Sequence, residues 1–222
     1  PSLLTFYEVQ TLFHEFGHSL HSLLSDCYYT SLSGTNVFWD FVELPSQVME
    51  NWTYEKESLD LFAQHYKTNE KISADLVKKL NDSKNFQSGY GSLRQISFSY
   101  VDMNWHTEIE GKDLDPMKME QEATQDIQLL PRIEGTNFSV GFSHIFAGGY
   151  SAGYYSYKWA EVLDADAFEA FKEKGLFNQE VASKFYSEVL SRGGVEDPAV
   201  LYRNFRGKDP DAGALLRRSG LS

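Results

Sequence analysis

Cysteine is almost missing from this sequence of 222 residues: Cys27 is the single one, which excludes an internal disulfide. This scarcity fits a reducing compartment, because disulfide frameworks belong to oxidising ones. Long apolar runs are missing as well, and without 18 consecutive apolar residues we expect no membrane-spanning helix. The first residues carry no signal-peptide pattern, although a chain that begins with Pro1 rather than methionine can be a fragment.

Positive charge is also scarce, with 20 Lys+Arg against 32 Asp+Glu and a net charge of -12. A protein that binds nucleic acid presents a basic face, so this balance argues against that class of function. Hydrophobic residues make up 41% and aromatic residues 15%, which is enough for a packed core. A chain of this length suits one large domain or two small ones, and no linker clearly divides it.

Strand signals are few, and the apolar periodicity indicates a mainly α fold. Apolar residues recur at spacings of three, four and seven over residues 7–24, which is the period of a helix. A second helix is predicted over 40–57, with Pro45 tolerated only near its first turn. Glycines and tyrosines crowd residues 134–157, which we interpret as a mobile loop leading into a helix that starts near Ala152. Further helices are predicted over residues 59–66, 74–80, 92–109, 116–130, 179–191, 197–205 and 209–219.

The first predicted helix contains HEFGH, an H-E-x-x-H motif from His14 to His18. Residues i and i+4 lie on one helix face about 6 Å apart along the axis, so these two imidazoles can converge on one zinc ion. Glu15 is rotated by about 100° from His14, so it can reach a water molecule without being a ligand. Zinc lowers the pKa of such a water to about 7, and the motif therefore predicts Glu15 as the catalytic base. The apolar residues of this helix predict that it is buried, where His and Glu side chains without partners would be costly.

A catalytic zinc ion requires a third protein ligand, for which the sequence offers His21 and Glu43. His21 shares the helix face but lies about 10 Å along the axis from His14, and one helix seldom supplies three ligands to a tetrahedral centre. Glu43 comes from another element, so we expect Glu43 to complete the site and His21 to contact the ligands or the substrate. Glu50 and Gln47 on the same predicted helix as Glu43 could orient the histidines, or be ordinary polar residues of a helix surface.

Three strings in this order resemble the thimet oligopeptidase, oligopeptidase A and peptidyl-dipeptidase family of zinc metallopeptidases. Residues 11–24, TLFHEFGHSLHSLL, resemble its zinc segment, and residues 32–52, LSGTNVFWDFVELPSQVMENW, resemble the region of its third ligand, which matches Glu43. Residues 144–159, HIFAGGYSAGYYSYKW, resemble its tyrosine-rich substrate loop. The tail over residues 191–221 is similar to the family too, so the resemblance covers essentially the whole chain.

This resemblance implies a mainly helical, two-lobed, zincin-type peptidase with a deep channel and one catalytic zinc ion. Residues 1–222 would form its C-terminal catalytic domain, as a fragment of a longer chain whose N-terminal region packs against it. The implied substrates are oligopeptides, with neither nucleic acid nor membrane as a partner. Together with the single cysteine, the resemblance also predicts a cytoplasmic location.

The resemblance implies a specific role for each of three tyrosines in the tyrosine-rich loop. Tyr157 matches the family tyrosine that donates to the oxyanion, and Tyr150 and Tyr154 match tyrosines that contact the substrate near the zinc. Their spacings of four and three would place them on one helix face if the helix extends that far. The alternative is a stripe of aromatic residues that belongs to the core.

His144 resembles a family histidine that contacts the substrate or the oxyanion. The loop from His144 to Tyr150 is one residue longer here than in the thimet branch, which leaves its role open. Gly148 and Gly149 can let this loop close over a bound peptide, or they can form a simple tight turn.

The sequence leaves three functions open. Residues 143–163 resemble oligopeptidase A more closely, and residues 32–52 the peptidyl-dipeptidase branch, which releases C-terminal dipeptides. A dipeptidase requires a cation for the substrate carboxylate, and Arg203, Arg206, Lys158 and Arg94 are candidates. A non-catalytic zinc- or peptide-binding domain is the third possibility, although the intact motifs argue against it.

Overall fold

A computed structural model of the chain describes residues 3–107, 109 and 115–221. Over these residues the chain is mainly helical without a β-strand, and an isolated antiparallel bridge joins Gln64 to Lys71. The mainly α class that the periodicity predicts is therefore confirmed. In the same part of the chain, no helix has both the length and the apolar content that crossing a bilayer requires.

The helices are described here in chain order. They are α1 (Phe6–Leu23), α2 (Trp39–Val42), α3 (Leu44–Glu50), α4 (Lys56–Phe62), α5 (Ala74–Lys84), α6 (Ser88–Thr107), α7 (Pro116–Thr124), α8 (Ser143–Phe146), α9 (Ser156–Lys174), α10 (Gln179–Phe185), α11 (Pro198–Arg206) and α12 (Ala212–Arg218). Short 3₁₀ turns occur at Thr30–Leu32, Asn51–Tyr54 and Ser139–Gly141, and a π-helical turn, Tyr186–Leu190, continues α10. The predicted helix over 92–109 includes position 108, which lies outside the described residues.

The chain folds into two compact units, which are described separately below. The first unit comprises Pro1–Phe86 and Ala160–Ser222, and the second comprises Gln87–Trp159. The division does not follow a composition change that would mark a linker, because α9 begins in the second unit and continues in the first.

Helix α1 begins at Phe6, one residue before the predicted start, and Thr5 and Glu8 form a capping box there. The Glu8 N–H donates to Thr5 Oγ1 at 3.3 Å, and the Thr5 N–H donates to Glu8 Oε2 at 2.7 Å. These reciprocal bonds satisfy two of the N–H groups that a helix start leaves without partners.

The second predicted helix, 40–57, is broken in the structure into α2, α3 and the 3₁₀ turn Asn51–Tyr54. Pro45 explains the first break, because proline has no N–H to donate and its ring clashes with the carbonyl four residues earlier, which is that of Phe41. Pro45 therefore lies in the first turn of α3, where proline is tolerated. Glu43 ends α2 and precedes α3 with φ -85 and ψ -6. The break thus places Glu43 at a junction instead of on a continuous helix.

The helix predicted to start near Ala152 begins four residues later, at Ser156. Ala152 has φ 54, which is a left-handed conformation that helix residues do not adopt. Residues 150–155 consequently precede α9 as turns and do not form the first turn of that helix.

The first unit has a core of apolar side chains from α2, α3 and the C-terminal helices. Trp52 packs edge-on against Phe168 and Phe171, with ring centroids 4.8 and 4.9 Å apart. Such aromatic contacts add to the free energy of burial. The core consists of Phe41, Leu44, Val48, Trp52, Leu163, Ala167, Phe168, Phe171, Phe185, Val189, Leu190, Leu201, Tyr202 and Phe205.

Candidate functional site

Helix α1 turns Gly17 and His21 toward the interior of the first unit, while of its apolar residues Phe13 packs against the core. Gly17 and His21 are buried, whereas Leu12, Phe16 and Leu23 are each more than half exposed. The prediction that the apolar face buries this helix is therefore wrong for these residues. The reason is that α1 packs on α3 through the face that carries the histidines.

The ligand atoms of His14, His18 and Glu43 converge as the sequence predicts. Nε2 of His14 and Nε2 of His18 lie 3.3 and 3.2 Å from Glu43 Oε2, and one ligand atom from each residue lies within 4.8 Å of the other two. Zinc bonds of about 2.0–2.1 Å that meet at the tetrahedral angle place neighbouring ligand atoms about 3.3 Å apart. The spacing and the chemistry of these donors therefore fit a zinc ion.

Glu43 is 2% exposed, and Ser46 holds its carboxylate. The Ser46 hydroxyl lies 2.9 Å from both the backbone oxygen and Oε2 of Glu43. Because this hydroxyl belongs to the first turn of α3, it orients the carboxylate relative to the α2–α3 junction. Sequence reasoning missed Ser46, and the available signal was a serine three residues after the glutamate.

Glu50 lies beside the other ring nitrogen of His14. Glu50 Oε1 is 2.7 Å from His14 Nδ1, and Gln10 Nε2 donates to Glu50 Oε2 at 2.7 Å. A proton held on Nδ1 by this carboxylate leaves Nε2 free to act as a ligand. The prediction that Glu50 could orient a histidine agrees with this contact.

The two carboxylates also determine the charge state that His14 prefers. Burial lowers its pKa, but the hydrogen bonds and charges of Glu43 and Glu50 outweigh burial and raise the pKa to about 10. Two carboxylates next to the His14 ring therefore favour a positive charge at this position.

His21 is fully buried but does not join the cluster of possible ligands. Among the residues that the structure describes, neither of its ring nitrogens has a hydrogen-bond partner. Burial, followed by the charge of the neighbouring His18, lowers the pKa of His21 to about 4. The imidazole is therefore neutral at neutral pH. The position of His21 outside the cluster agrees with the helix geometry, which argued against His21 as the third ligand.

Glu15, the predicted base, has an exposed side chain on α1. It follows His14 directly, and its backbone oxygen accepts from the Ser19 hydroxyl at 3.0 Å. The exposed Glu15 carboxylate beside His14 is therefore accessible from solvent.

In the second unit, the three predicted tyrosines lie together, although only Tyr157 belongs to α9. The rings of Tyr150 and Tyr157 stack with centroids 4.9 Å apart, and those of Tyr154 and Tyr157 lie 5.1 Å apart. Tyr154 is buried and also contacts Phe98 and Phe142, at 5.8 and 4.9 Å. We call Tyr150, Tyr154, Tyr157, Phe98, Phe142 and His144 the aromatic cluster. Burial raises the pKa of Tyr154, against the nearby charge of Arg94, and this burial agrees with the core alternative for that residue.

His144 is exposed at one side of the aromatic cluster. Its ring lies 6.3 Å from the Tyr150 ring and 6.0 Å from the Tyr154 ring. The glycines that follow α8 form a tight turn: Gly149 has φ 87, and a Cβ on Gly148 would lie 2.7 Å from the Cα of His144. The tight-turn alternative for these two glycines is therefore supported by geometry.

Among the cations considered for a substrate carboxylate, Arg206 is already committed to a buried ion pair. Its Nε and Nη2 donate to Asp166 at 3.1 and 3.0 Å. Arg203 pairs with Asp209 at 3.0 Å on the surface, and the Arg94 guanidinium lies over the Phe98 ring. Arg206 is thus the least suited of these residues to capture a peptide.

Comparison with known proteins agrees with the motifs. Residues 1–221 match the model of Peptidase family M3. Oligopeptidase A of Escherichia coli is 44% identical over 226 residues, covering 100% of this chain and 33% of that protein. The organellar oligopeptidase A, chloroplastic/mitochondrial, of Arabidopsis thaliana is 44% identical over 227 residues, with coverage of 100% and 29%. The dipeptidyl carboxypeptidase of Escherichia coli is 38% identical over 225 residues, with coverage of 100% and 33%.

These matches confirm the resemblance that the three strings indicated. The chain spans about a third of the length of the curated relatives it matches.

Proposed function

The chain belongs to peptidase family M3, and we propose that it is the metal-binding and catalytic portion of a zinc peptidase that hydrolyses bonds in short peptides. The observation that carries this proposal is the convergence of His14 Nε2, His18 Nε2 and Glu43 Oε2, with both histidine nitrogens within 3.3 Å of the carboxylate oxygen. Two imidazoles and one carboxylate are a common protein ligand set of catalytic zinc, which keeps its fourth position for water or substrate.

When bound, a zinc ion would polarise the scissile carbonyl and make a water molecule more acidic. His14 and His18 would hold it through Nε2, with Glu50 keeping a proton on Nδ1 of His14. Glu43 would supply the third ligand atom, oriented by Ser46. Cobalt and manganese are also accommodated by nitrogen and oxygen ligands, so metal analysis is part of the test.

Glu15 is the residue that we propose as general base. Its carboxylate takes a proton from the attacking water, whose oxygen forms the new bond to the peptide carbonyl carbon. The same carboxyl group then gives that proton to the leaving amine as the C–N bond breaks. Glu15 therefore receives one proton and returns it, so its carboxylate ends the reaction in its starting charge state. The exposed position of Glu15 next to His14 supports this role.

The aromatic cluster is the part of the second unit that we propose to contact the peptide. Tyr157 would donate its hydroxyl proton in a hydrogen bond to the developing oxyanion, a contact that costs several kcal/mol of activation free energy when it is lost. Tyr150, Tyr154 and His144 would contact the substrate, and Gly148 and Gly149 would shape the turn that carries His144. The match of this segment to the family's tyrosine-rich loop and the mutual contacts of the rings support these roles.

Internal cleavage of oligopeptides is the specificity that we favour. Relatives named oligopeptidase A are 43–44% identical to this chain, and a relative named dipeptidyl carboxypeptidase is 38% identical. Release of C-terminal dipeptides is the second candidate, and it rests on that 38% relative and on residues 32–52.

The longest natural chain that contains this sequence, loaded with zinc, should be incubated with a decapeptide in free-acid form and in C-terminally amidated form. Internal products from both peptides, identified by mass spectrometry and abolished by a chelator, are expected. Dipeptides from the free acid alone would support the second candidate. Cleavage that a chelator does not affect, or no cleavage, would contradict the proposed function.

The greater length of the relatives supports a further part of the proposal, that additional chain of the same protein packs against these units. A cytoplasmic location stays a prediction. The names of the relatives differ on this point, since one is named chloroplastic/mitochondrial and another is named probable cytosolic.

A further inference from the structure

Asp102 is a fully buried carboxylate in α6 that the proposed chemistry does not use. The N–H of Ala152 donates to its Oδ1 at 2.9 Å, and the N–H of Tyr154 donates to its Oδ2 at 2.8 Å. His106, one helical turn further along α6, lies with Nδ1 2.8 Å from Oδ1. The hydrogen bond of His106 Nδ1 is to the backbone oxygen of Asp102, also at 2.8 Å. The donors to the Asp102 carboxylate are therefore the two N–H groups of the segment before α9.

The two N–H groups belong to a turn that is unfavourable by itself. Ala152 has φ 54, a left-handed conformation that disfavours residues with a Cβ atom. Because the N–H groups of residues 152 and 154 point to one side, they form a small concave site that suits an anion. The Asp102 carboxylate fills that site, and it compensates for the unfavourable backbone of the turn.

The turn over residues 152–154 carries Tyr154 and leads directly into the first coil of α9. Tyr154 contacts the Tyr157 ring at 5.1 Å, and Tyr157 in turn stacks on Tyr150 at 4.9 Å. A change in the backbone at Tyr154 would therefore move the rings of the aromatic cluster relative to one another.

We propose that Asp102 is a positioning residue, whose carboxylate holds the 152–154 turn so that the aromatic cluster keeps the arrangement that binds a peptide. The effect of Asp102 on peptide binding rests on the proposed function, whereas its stabilisation of the 152–154 turn does not. Asp102 acts through Tyr154 and Tyr157 and does not itself contact the substrate.

The test compares Asp102→Asn with Asp126→Asn in the longest natural chain. Asparagine keeps the shape of aspartate but replaces one acceptor oxygen with an NH₂ group, so it can serve only one of the two backbone N–H groups. Asp126 is an exposed aspartate of the same unit, and its variant makes the same change in charge. A third variant, Asp102→Asn with Ala152→Gly, removes the unfavourable backbone, because glycine adopts positive φ without steric cost.

Hydrogen exchange followed by mass spectrometry measures the hold on the turn without any activity. In Asp102→Asn we expect exchange in peptides covering 150–157 to accelerate about tenfold or more, since a hydrogen bond to a charged group is lost. Exchange in α7 should stay unchanged in the same sample, which verifies that the unit is folded. Exchange over 150–157 equal to that of Asp126→Asn would overturn the proposal.

Peptide kinetics measures the consequence. We expect Asp102→Asn to raise KM more than it lowers kcat, with a loss of about tenfold in kcat/KM, unchanged zinc content, and partial recovery in the double variant. Unchanged kcat/KM despite accelerated exchange would overturn the positioning role. If the wild type itself cleaves no peptide, the proposed function fails, and exchange alone supports or overturns the hold of Asp102 on the turn.

Discussion

Gly17 of α1 and Ser46 of α3 approach so closely that a Cβ atom on Gly17 would lie 2.5 Å from the Cα of Ser46. It would also lie 2.6 Å from the backbone oxygen of Pro45. The two helices therefore meet backbone to backbone, within one turn of His14 and His18 on one side and of Glu43 on the other. This contact brings the histidines and the glutamate to zinc-ligand spacing.

Gly17→Ala should separate α1 from α3, because the added methyl group meets backbone atoms that cannot rotate away. We expect a loss of about 1–3 kcal/mol in the free energy of unfolding. We also expect zinc affinity to fall by at least about tenfold, because the ligand atoms move apart. Urea unfolding and competitive zinc titration measure the two effects. Gly91→Ala in α6 is the control, since a Cβ atom there meets nothing within 4 Å; equal effects of the two variants would contradict the role of the contact.

Glu50→Gln should weaken zinc binding by about 10–100-fold while the fold remains intact. The variant removes the carboxylate that accepts from His14 Nδ1 and leaves a weaker amide acceptor. Isothermal titration with zinc measures the affinity. Glu57→Gln on α4, an exposed glutamate with the same change, is expected to bind zinc like the wild type. Wild-type affinity in Glu50→Gln would show that this contact does not support the metal.

Glu43→Ala should reduce zinc affinity more than His21→Ala does. Glu43 supplies one of the three convergent ligand atoms, whereas His21 lies outside the cluster. Zinc content after dialysis, determined by atomic spectroscopy, gives the ranking. The opposite order would mean that His21, and not Glu43, completes the ligand set.

Glu15→Gln should abolish peptide cleavage, by a factor of about 10² or more, without loss of zinc. Glutamine has a similar size but accepts no proton at neutral pH, so the variant separates the base from the ligands. Turnover and zinc content are measured on the same preparation. Turnover within tenfold of the wild type would reject Glu15 as the base.

Asp166 makes the stability of the first unit sensitive to acid. Burial raises its pKa, but hydrogen bonds from Arg206, Lys208 and Tyr202 outweigh burial and lower the pKa to about 2. A lowered pKa stabilises the fold above the pKa of the unfolded chain, about 3.9, and this contribution disappears as the pH falls toward 2.

The stabilisation attributable to ionised Asp166 is roughly 2 kcal/mol at neutral pH. We therefore expect the difference in free energy of unfolding between the wild type and Asp166→Asn to shrink between pH 5 and pH 2. Urea unfolding at several pH values measures this difference. A difference that is constant with pH would mean that the charge of Asp166 is not what stabilises the unit.

Much of the site was accessible from local sequence. The spacing of His14 and His18 places them on one face of a helix, and the apolar periodicity over residues 7–24 predicts that helix, which the structure has as Phe6–Leu23. The choice of Glu43 over His21 also followed from helix geometry, because one straight helix cannot direct three ligands to a single point. Tyr150, Tyr154, Tyr157 and His144 of the aromatic cluster were anticipated, but their shared helix face was not found, since Tyr150 and Tyr154 precede α9. The contacts with Phe98 and Phe142 were not anticipated.

The sequence by itself determined the helical class, the residue types of the candidate metal site and the place of the tyrosine-rich segment, because helix period and motif spacing depend on neighbouring residues. Only the tertiary structure decided which face of α1 is buried, that Ser46 orients Glu43, and that Asp102 holds the 152–154 turn. The contacts of α1 and of Asp102 join residues that are far apart in the sequence, and they form only when the backbones of two elements pack closely. Gly17 permits that approach at the candidate metal site, and no local pattern in the sequence reveals which residue it will contact.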